Sequence, residues 1–127
     1  MVDVDYTGAL SVPGIVRAME ETEYAFLRSR GLSVVLSDDK GLMGFPRLDV
    51  STDLFEPAFF DEVLTIQLRL IEMDGKRLRY RFSIDHADGR CVALGTIGVA
   101  VCRFPSDAIP YAVLTPQYVI DALKSSQ

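Results

Sequence analysis

The chain has 127 residues, 49% hydrophobic and 24% charged, which is the size of one domain (1–127) and a globular composition. Thirteen Lys and Arg against 18 Asp and Glu leave 13 − 18 = −5, so a phosphate backbone is a poor partner and nucleic-acid binding is not expected. No apolar run could span a bilayer, the start Met1-Val2-Asp3-Val4-Asp5 is not that of a signal peptide, and one histidine with two cysteines offers no zinc-ligand spacing, so a cytoplasmic domain without metal, cofactor or membrane partner is expected.

Ser11 suits an N-cap, Pro13 a first helical turn and Gly31 a stop. Between them Ile15, Val16, Ala18, Met19, Phe26 and Leu27 recur at helical spacing, which predicts an amphipathic helix over 13–30. A strand is expected from Phe45 to Phe55, ended by Glu56-Pro57. The period then becomes two: Leu64, Ile66, Leu68 and Leu70 alternate with polar residues, as do Leu78, Tyr80, Phe82 and Ile84. Asp74-Gly75 and Asp88-Gly89 mark tight hairpin turns around the second run. Cys91 to Phe104 is apolar on both faces, and its small residues Ala93, Gly95, Gly98 and Ala100 would let a helix approach closely. Both cysteines belong to this segment and are read as core thiols, not a disulfide. A short final helix is expected over 116–124. The expected class is α+β, a long helix wrapped by a mostly antiparallel sheet, with the arginine-bearing face of the hairpin in water or against a ligand.

Four motifs stand in order along the chain: Asp3-Val4-Asp5-Tyr6-Thr7-Gly8 before the helix; Glu20, Phe26-Leu27 and Gly31 along it; Leu54-Phe55-Glu56-Pro57-Ala58 leading into Phe60-Asp61-Glu62-Val63; and Arg103 to Pro110 after the last strand. Together they resemble the 4-hydroxybenzoyl-CoA thioesterase-like branch of the hotdog fold. In two places the pattern departs. The helix starts Ser11-Val12-Pro13-Gly14-Ile15 where that branch carries Tyr, His or Asn, and Glu23 stands where it carries an arginine.

The resemblance implies that Asp5 is the nucleophile or general base of thioester hydrolysis, since a carboxylate can attack the carbonyl or activate water. Backbone N–H groups near Gly8, close to a helix N-terminus, would polarise the thioester oxygen. The plainer use of Asp-x-x-Gly is a turn or cap. Asp3, two residues away, would face the other side of an extended segment. Glu20 matches a recurrent helix glutamate and is a third catalytic candidate, although a solvated helix face or an ion pair is the commoner role. Ser11, Arg47, Lys76 and Arg77 are candidate substrate-binding residues. Lys76 and Arg77 follow the Asp74-Gly75 turn, where the resembled family meets CoA phosphates; Arg47 and Arg79 are weaker candidates for the same contact. His86, just before the second turn, is expected at the surface, and the absence of a histidine where the helix starts argues against a dehydratase.

The function these residues imply is acyl-CoA thioesterase, with acyl carrier protein as an alternative carrier and no cofactor. The family's shared sites imply a homo-oligomer, dimer or tetramer, and an open sheet edge agrees with that. The rival reading is a non-catalytic module of the same fold that binds acyl-CoA or acyl carrier protein.

Overall fold

The computed structural model describes residues 10–59 and 61–124. Helix α1 runs Val12–Ser29, with Ser11 as its cap: the Ser11 hydroxyl accepts the Gly14 amide at 3.1 Å. Its buried residues Ile15, Met19, Glu23 and Leu27 fall every four residues and form one ridge against the sheet. The helix ends as expected at Gly31, whose φ of 73° is the left-handed conformation that glycine adopts without a steric cost.

The strands are β1 (Val35–Asp38), β2 (Gly41–Gly44), β3 (Arg47–Leu54), β4 (Thr65–Asp74), β5 (Arg77–Asp85), β6 (Cys91–Ala100), β7 (Cys102–Arg103) and β8 (Tyr111–Ala112), followed by helix α2 (Gln117–Lys124). All pairings are antiparallel, in the orders β3-β6-β5-β4 and β1-β2-β7-β8. The expected segment Cys91–Phe104 is interrupted at Val101, where it exchanges its partners β3 and β5 for β2 and β8. The two sheets therefore join end to end along one stretch of chain and curve round α1. This is the hotdog arrangement, one long helix held in a bent antiparallel sheet.

Both expected hairpin turns are present, with Gly75 and Gly89 at φ of 57° and 93°. On β5, Leu78, Tyr80, Phe82 and Ile84 are buried against the helix while Arg77 and Arg81 stand in solvent. The strand expected from Phe45 begins at Arg47 instead, after Pro46, which has no N–H to give to a ladder. The β1–β2 hairpin and β8 are elements that the residue pattern did not announce, being only two to four residues long.

Helix and sheet approach closely at Gly95, as the small residues of β6 suggest. A Cβ there would stand 2.6 Å from the tip of Met19 and 2.9 Å from the Ser51 carbonyl oxygen, and the backbone oxygen has no rotamer by which to yield. Gly95→Ala is therefore expected to destabilise the fold by about 1–3 kcal/mol. Urea unfolding should show a lower midpoint at unchanged m-value; an unaltered midpoint would mean that helix and sheet can part there at no cost.

Candidate active site

Along β3 the sheet has a free edge, because the order β3-β6-β5-β4 leaves that strand paired on one side only among the described residues. Its apolar residues Val50 and Leu54, with Phe55 just beyond and Val12 at the start of α1, are exposed beside this edge. Between helix and edge lies a cluster of charge. Glu23 is 1% exposed in the middle of the apolar ridge, where spacing alone would place another hydrophobic residue. Arg47, from the start of β3, reaches it: Nη2 lies 2.5 Å from Glu23 Oε1 and Nη1 lies 3.2 Å from Glu20 Oε2, while the guanidinium sits 5.2 Å from the Tyr24 ring centre. Burial pushes the Glu23 carboxyl above its ordinary range, and the Arg47 hydrogen bond and charge pull part of that back.

The candidate residues within the described part of the chain each have a place. Ser11 caps α1, with its hydroxyl directed to the Gly14 amide. Glu20 takes the ion-pair role. Arg47 is turned toward the helix and committed to two carboxylates, so it does not stand with Lys76 and Arg77 as a third cation for a phosphate. Those two occupy the β4–β5 turn, exposed, with Arg77 on the outer face of the sheet, opposite to the buried Leu78. Arg79 is likewise committed: it makes a two-pronged bond to Asp49 at 2.8 and 3.0 Å, passing over Gly98, and holds the Asp49 carboxyl below its usual value. Asp3, Asp5 and Gly8 lie outside the described residues. One recess in the surface, of about 480 Å³, is lined by Gln67, Leu68, Arg69, Arg81 and Ser83 of β4 and β5.

His86 is not the surface residue expected. It is 8% exposed, with Nδ1 2.6 Å from Glu62 Oε2 and Nε2 3.3 Å from Glu56 Oε1. The β4–β5 register, which pairs Thr65 with Asp85, brings the chain just before β4 alongside the end of β5 and so buries the ring. Cys91 and Cys102 are free and half-buried thiols.

A further ion pair ties the β1–β2 hairpin to β7. Arg103 donates to Asp38 at 2.7 and 3.0 Å, and the Tyr118 hydroxyl of α2 is 3.0 Å from the same carboxylate. The Arg103 bond, chiefly, holds the Asp38 carboxyl down to about 2. A carboxyl depressed in the folded state adds stability that is complete above its unfolded value, about 4, and vanishes as pH falls through its folded value. Asp38→Asn should thus be less stable than the native chain at neutral pH, and the gap should close between about pH 4 and about pH 2. Thermal unfolding across that range checks it; a gap independent of pH would assign the loss to something other than ionisation.

Glu23 and His86 are the two residues of this region that the motifs passed over. A signal for the first was present, since Glu23 stands on the same four-residue ladder as Ile15, Met19 and Leu27. For the second no local signal exists, because both of its partners arrive from another part of the chain.

The sequence profile described as the thioesterase-like superfamily matches residues 1–113. Among solved structures, a 1,4-dihydroxy-2-naphthoyl-CoA thioesterase from Synechocystis superposes with a TM-score of 0.81 at 19% identity, covering 97% of this chain and 88% of that one. A gentisyl-coenzyme A thioesterase aligns at 0.75 and 22% identity over 95% and 91% of the two chains. A 4-hydroxybenzoyl CoA thioesterase mutant complexed with 4-hydroxybenzoyl CoA aligns at 0.79 and 16% identity over 96% and 91%. No curated protein matches the chain.

Proposed function

Because the chain belongs to the thioesterase-like superfamily, we propose that it hydrolyses the thioester of an acyl-CoA. The observation that carries this reading is the match over residues 1–113, which takes in the Asp3-to-Gly8 motif together with the helix and the sheet. Asp5 is the general base or nucleophile. As base it takes a proton from water, the water oxygen bonds to the acyl carbon, and the carbon–sulfur bond breaks to leave a carboxylic acid and the CoA thiol. As nucleophile it bonds to the acyl carbon itself, and water then cleaves the resulting anhydride. Backbone donors near Gly8 hold the oxyanion. Ser11 contributes at the start of α1, where its cap fixes the first turn. Lys76 and Arg77 are the two cations offered to the CoA phosphates; in a chain of net charge −5, such a pair would steer a polyanion locally.

The free edge of β3, with Val50, Leu54 and Phe55 exposed beside it, suits a second copy of the chain, and a homodimer would cover that edge. A dimer of dimers would extend the same assembly. The acyl group is aromatic on this reading, after the three similar enzymes whose acyl-CoA substrates carry aromatic rings, and acyl carrier protein is the alternative carrier. One observation favours the non-catalytic reading: Glu23, which stands where the resembled branch carries an arginine, is buried against Arg47.

Thiol release from a panel of CoA esters, aliphatic to aromatic, decides between the two. Turnover fastest with aromatic esters supports the hydrolase. Binding of the esters without thiol release would turn the reading to a carrier or binding module.

A further inference from the structure

The sheet β3-β6-β5-β4 gives one face to the core: Leu78, Tyr80, Phe82 and Ile84 of β5 are buried there, and Ile66, Leu68 and Leu70 of β4 pack against them. Gln67 and Arg69 of β4 and Arg79, Arg81 and Ser83 of β5 alternate with these residues and stand on the opposite face. Across that face the register sets the charges in rows. In one row Arg79 lies between Glu72 and, beyond Gly98, Asp49, which it bonds. The next row is Arg69, Arg81, Thr96 and Ser51: two arginines directly opposite one another, and no acid. Gln67 and Ser83 form a pair in the row beside them. Like charges opposite one another in a ladder, with Cα atoms about 5 Å apart, repel. Nothing among the described residues relieves this, since neither arginine has an ion pair or hydrogen bond, and the side chains of Gln67 and Ser83 have none either. Asp53, the single carboxylate of the neighbouring recess, lines it together with Arg81 but forms no ion pair with it. The four uncommitted side chains are gathered in one place: all line the recess of about 480 Å³.

We propose that this recess is a separate binding site for a small phosphate monoester, whose dianionic phosphate is held by Arg69 and Arg81 with Gln67 and Ser83 as neutral donors. A monoester phosphate carries nearly two negative charges and three acceptor oxygens at neutral pH, which matches two guanidiniums. A carboxylate or a phosphodiester carries one charge and would leave the second arginine unrelieved. The recess falls within the ordinary size of small-molecule sites, about 300–1,000 Å³, so the group that the phosphate esterifies has room beside it. Arg81 is four residues along β5 from Arg77, or about 13 Å, which sets the recess apart from the turn offered to the CoA phosphates. The inference does not depend on the thioesterase reading.

The test follows the backbone amides of Gln67, Arg69, Arg81 and Ser83 by NMR while glycerol 3-phosphate is added to the full chain at constant ionic strength. Their shifts should saturate with a Kd of about 1 mM. Acetate should bind at least about tenfold more weakly, and orthophosphate, which lacks the ester group, several-fold more weakly. Arg69→Gln and Arg81→Gln should each raise the Kd about tenfold or more. Both positions are exposed, and losing one of two like charges should leave the unliganded melting temperature unchanged or higher, which separates lost binding from a lost fold. Shifts that never saturate, or that persist unchanged in both variants, would overturn the proposal. Equal affinity for orthophosphate would do the same, as would shifts that follow protein concentration instead of ligand, the mark of a second copy covering this face. CoA, whose 3′-phosphate is itself a monoester, is compared with dephospho-CoA. If CoA fills the recess more tightly than glycerol 3-phosphate and dephospho-CoA does not, the recess belongs to the substrate site and the separate site is lost.

Discussion

Asp5→Asn is expected to lower turnover of the best acyl-CoA by about 10²- to 10⁴-fold with little change in KM. Asparagine has nearly the same shape as aspartate, so it should leave binding intact. It neither accepts a proton from water at neutral pH nor forms an anhydride, so both routes to the product are lost together. The large effect is expected because Glu20 and Glu23, the carboxylates of α1 nearest to hand, are each already paired with Arg47 through one oxygen. Glu20→Gln is the matching control and should change turnover by less than about tenfold, since it weakens one partly exposed ion pair. Thiol release from the two variants beside the native chain separates the roles. If Asp5→Asn keeps its rate, the catalytic assignment falls; if Glu20→Gln loses it as well, the helix carboxylate takes part in the reaction.

The second large effect concerns stability. Arg47→Met should cost about 3–5 kcal/mol, because it leaves Glu23 buried in the helix–sheet core without its counter-charge. The pH dependence has a definite sign. Burial raises the Glu23 carboxyl in the folded state, so the folded chain keeps a proton that the unfolded chain releases. Stability from this group is then greatest below the unfolded value, about 4.3, and declines as pH rises through the folded value. Arg47 moderates the decline, and its removal should steepen it, making the variant's deficit larger at neutral pH than near pH 4. Glu23→Gln combined with Arg47→Met removes both charges and should recover much of the loss. Urea unfolding of the native chain and the two variants at the two pH values measures this. A deficit that stays constant with pH, or is unrelieved in the double variant, would show that Arg47 acts through packing alone.

The role of the Glu23–Arg47 pair also bears on the family resemblance. Glu23 stands where the resembled branch carries an arginine, and the positive charge beside it in this chain comes from Arg47, the first residue of β3, 24 positions further on.

Much of this could be read along the chain, wherever the physics is local. The helix over 12–29 follows from a cap, a proline, a glycine and a repeat near four; the β4–β5 hairpin follows from alternation about Asp74-Gly75; the close approach at Gly95 follows from the missing side chain. Each of these depends on residues within a few positions of one another, and so does the Asp3-to-Gly8 motif that suggested the chemistry. The partners of Arg47 and His86 could not be read in this way. Nothing near Arg47 indicates that it points inward to a helix rather than outward to a phosphate, and a histidine beside an Asp-Gly turn is usually exposed. Only the register of the sheet settles both cases. It carries β3 alongside α1 and sets the link before β4 against the end of β5, where two carboxylates from a distant stretch of sequence close over the ring. Local periodicity was enough for α1, β4 and β5, whereas the short strands β1, β2 and β8 and the environment of each charged side chain were properties of the whole sheet, decided when strands far apart in sequence were brought into pairs.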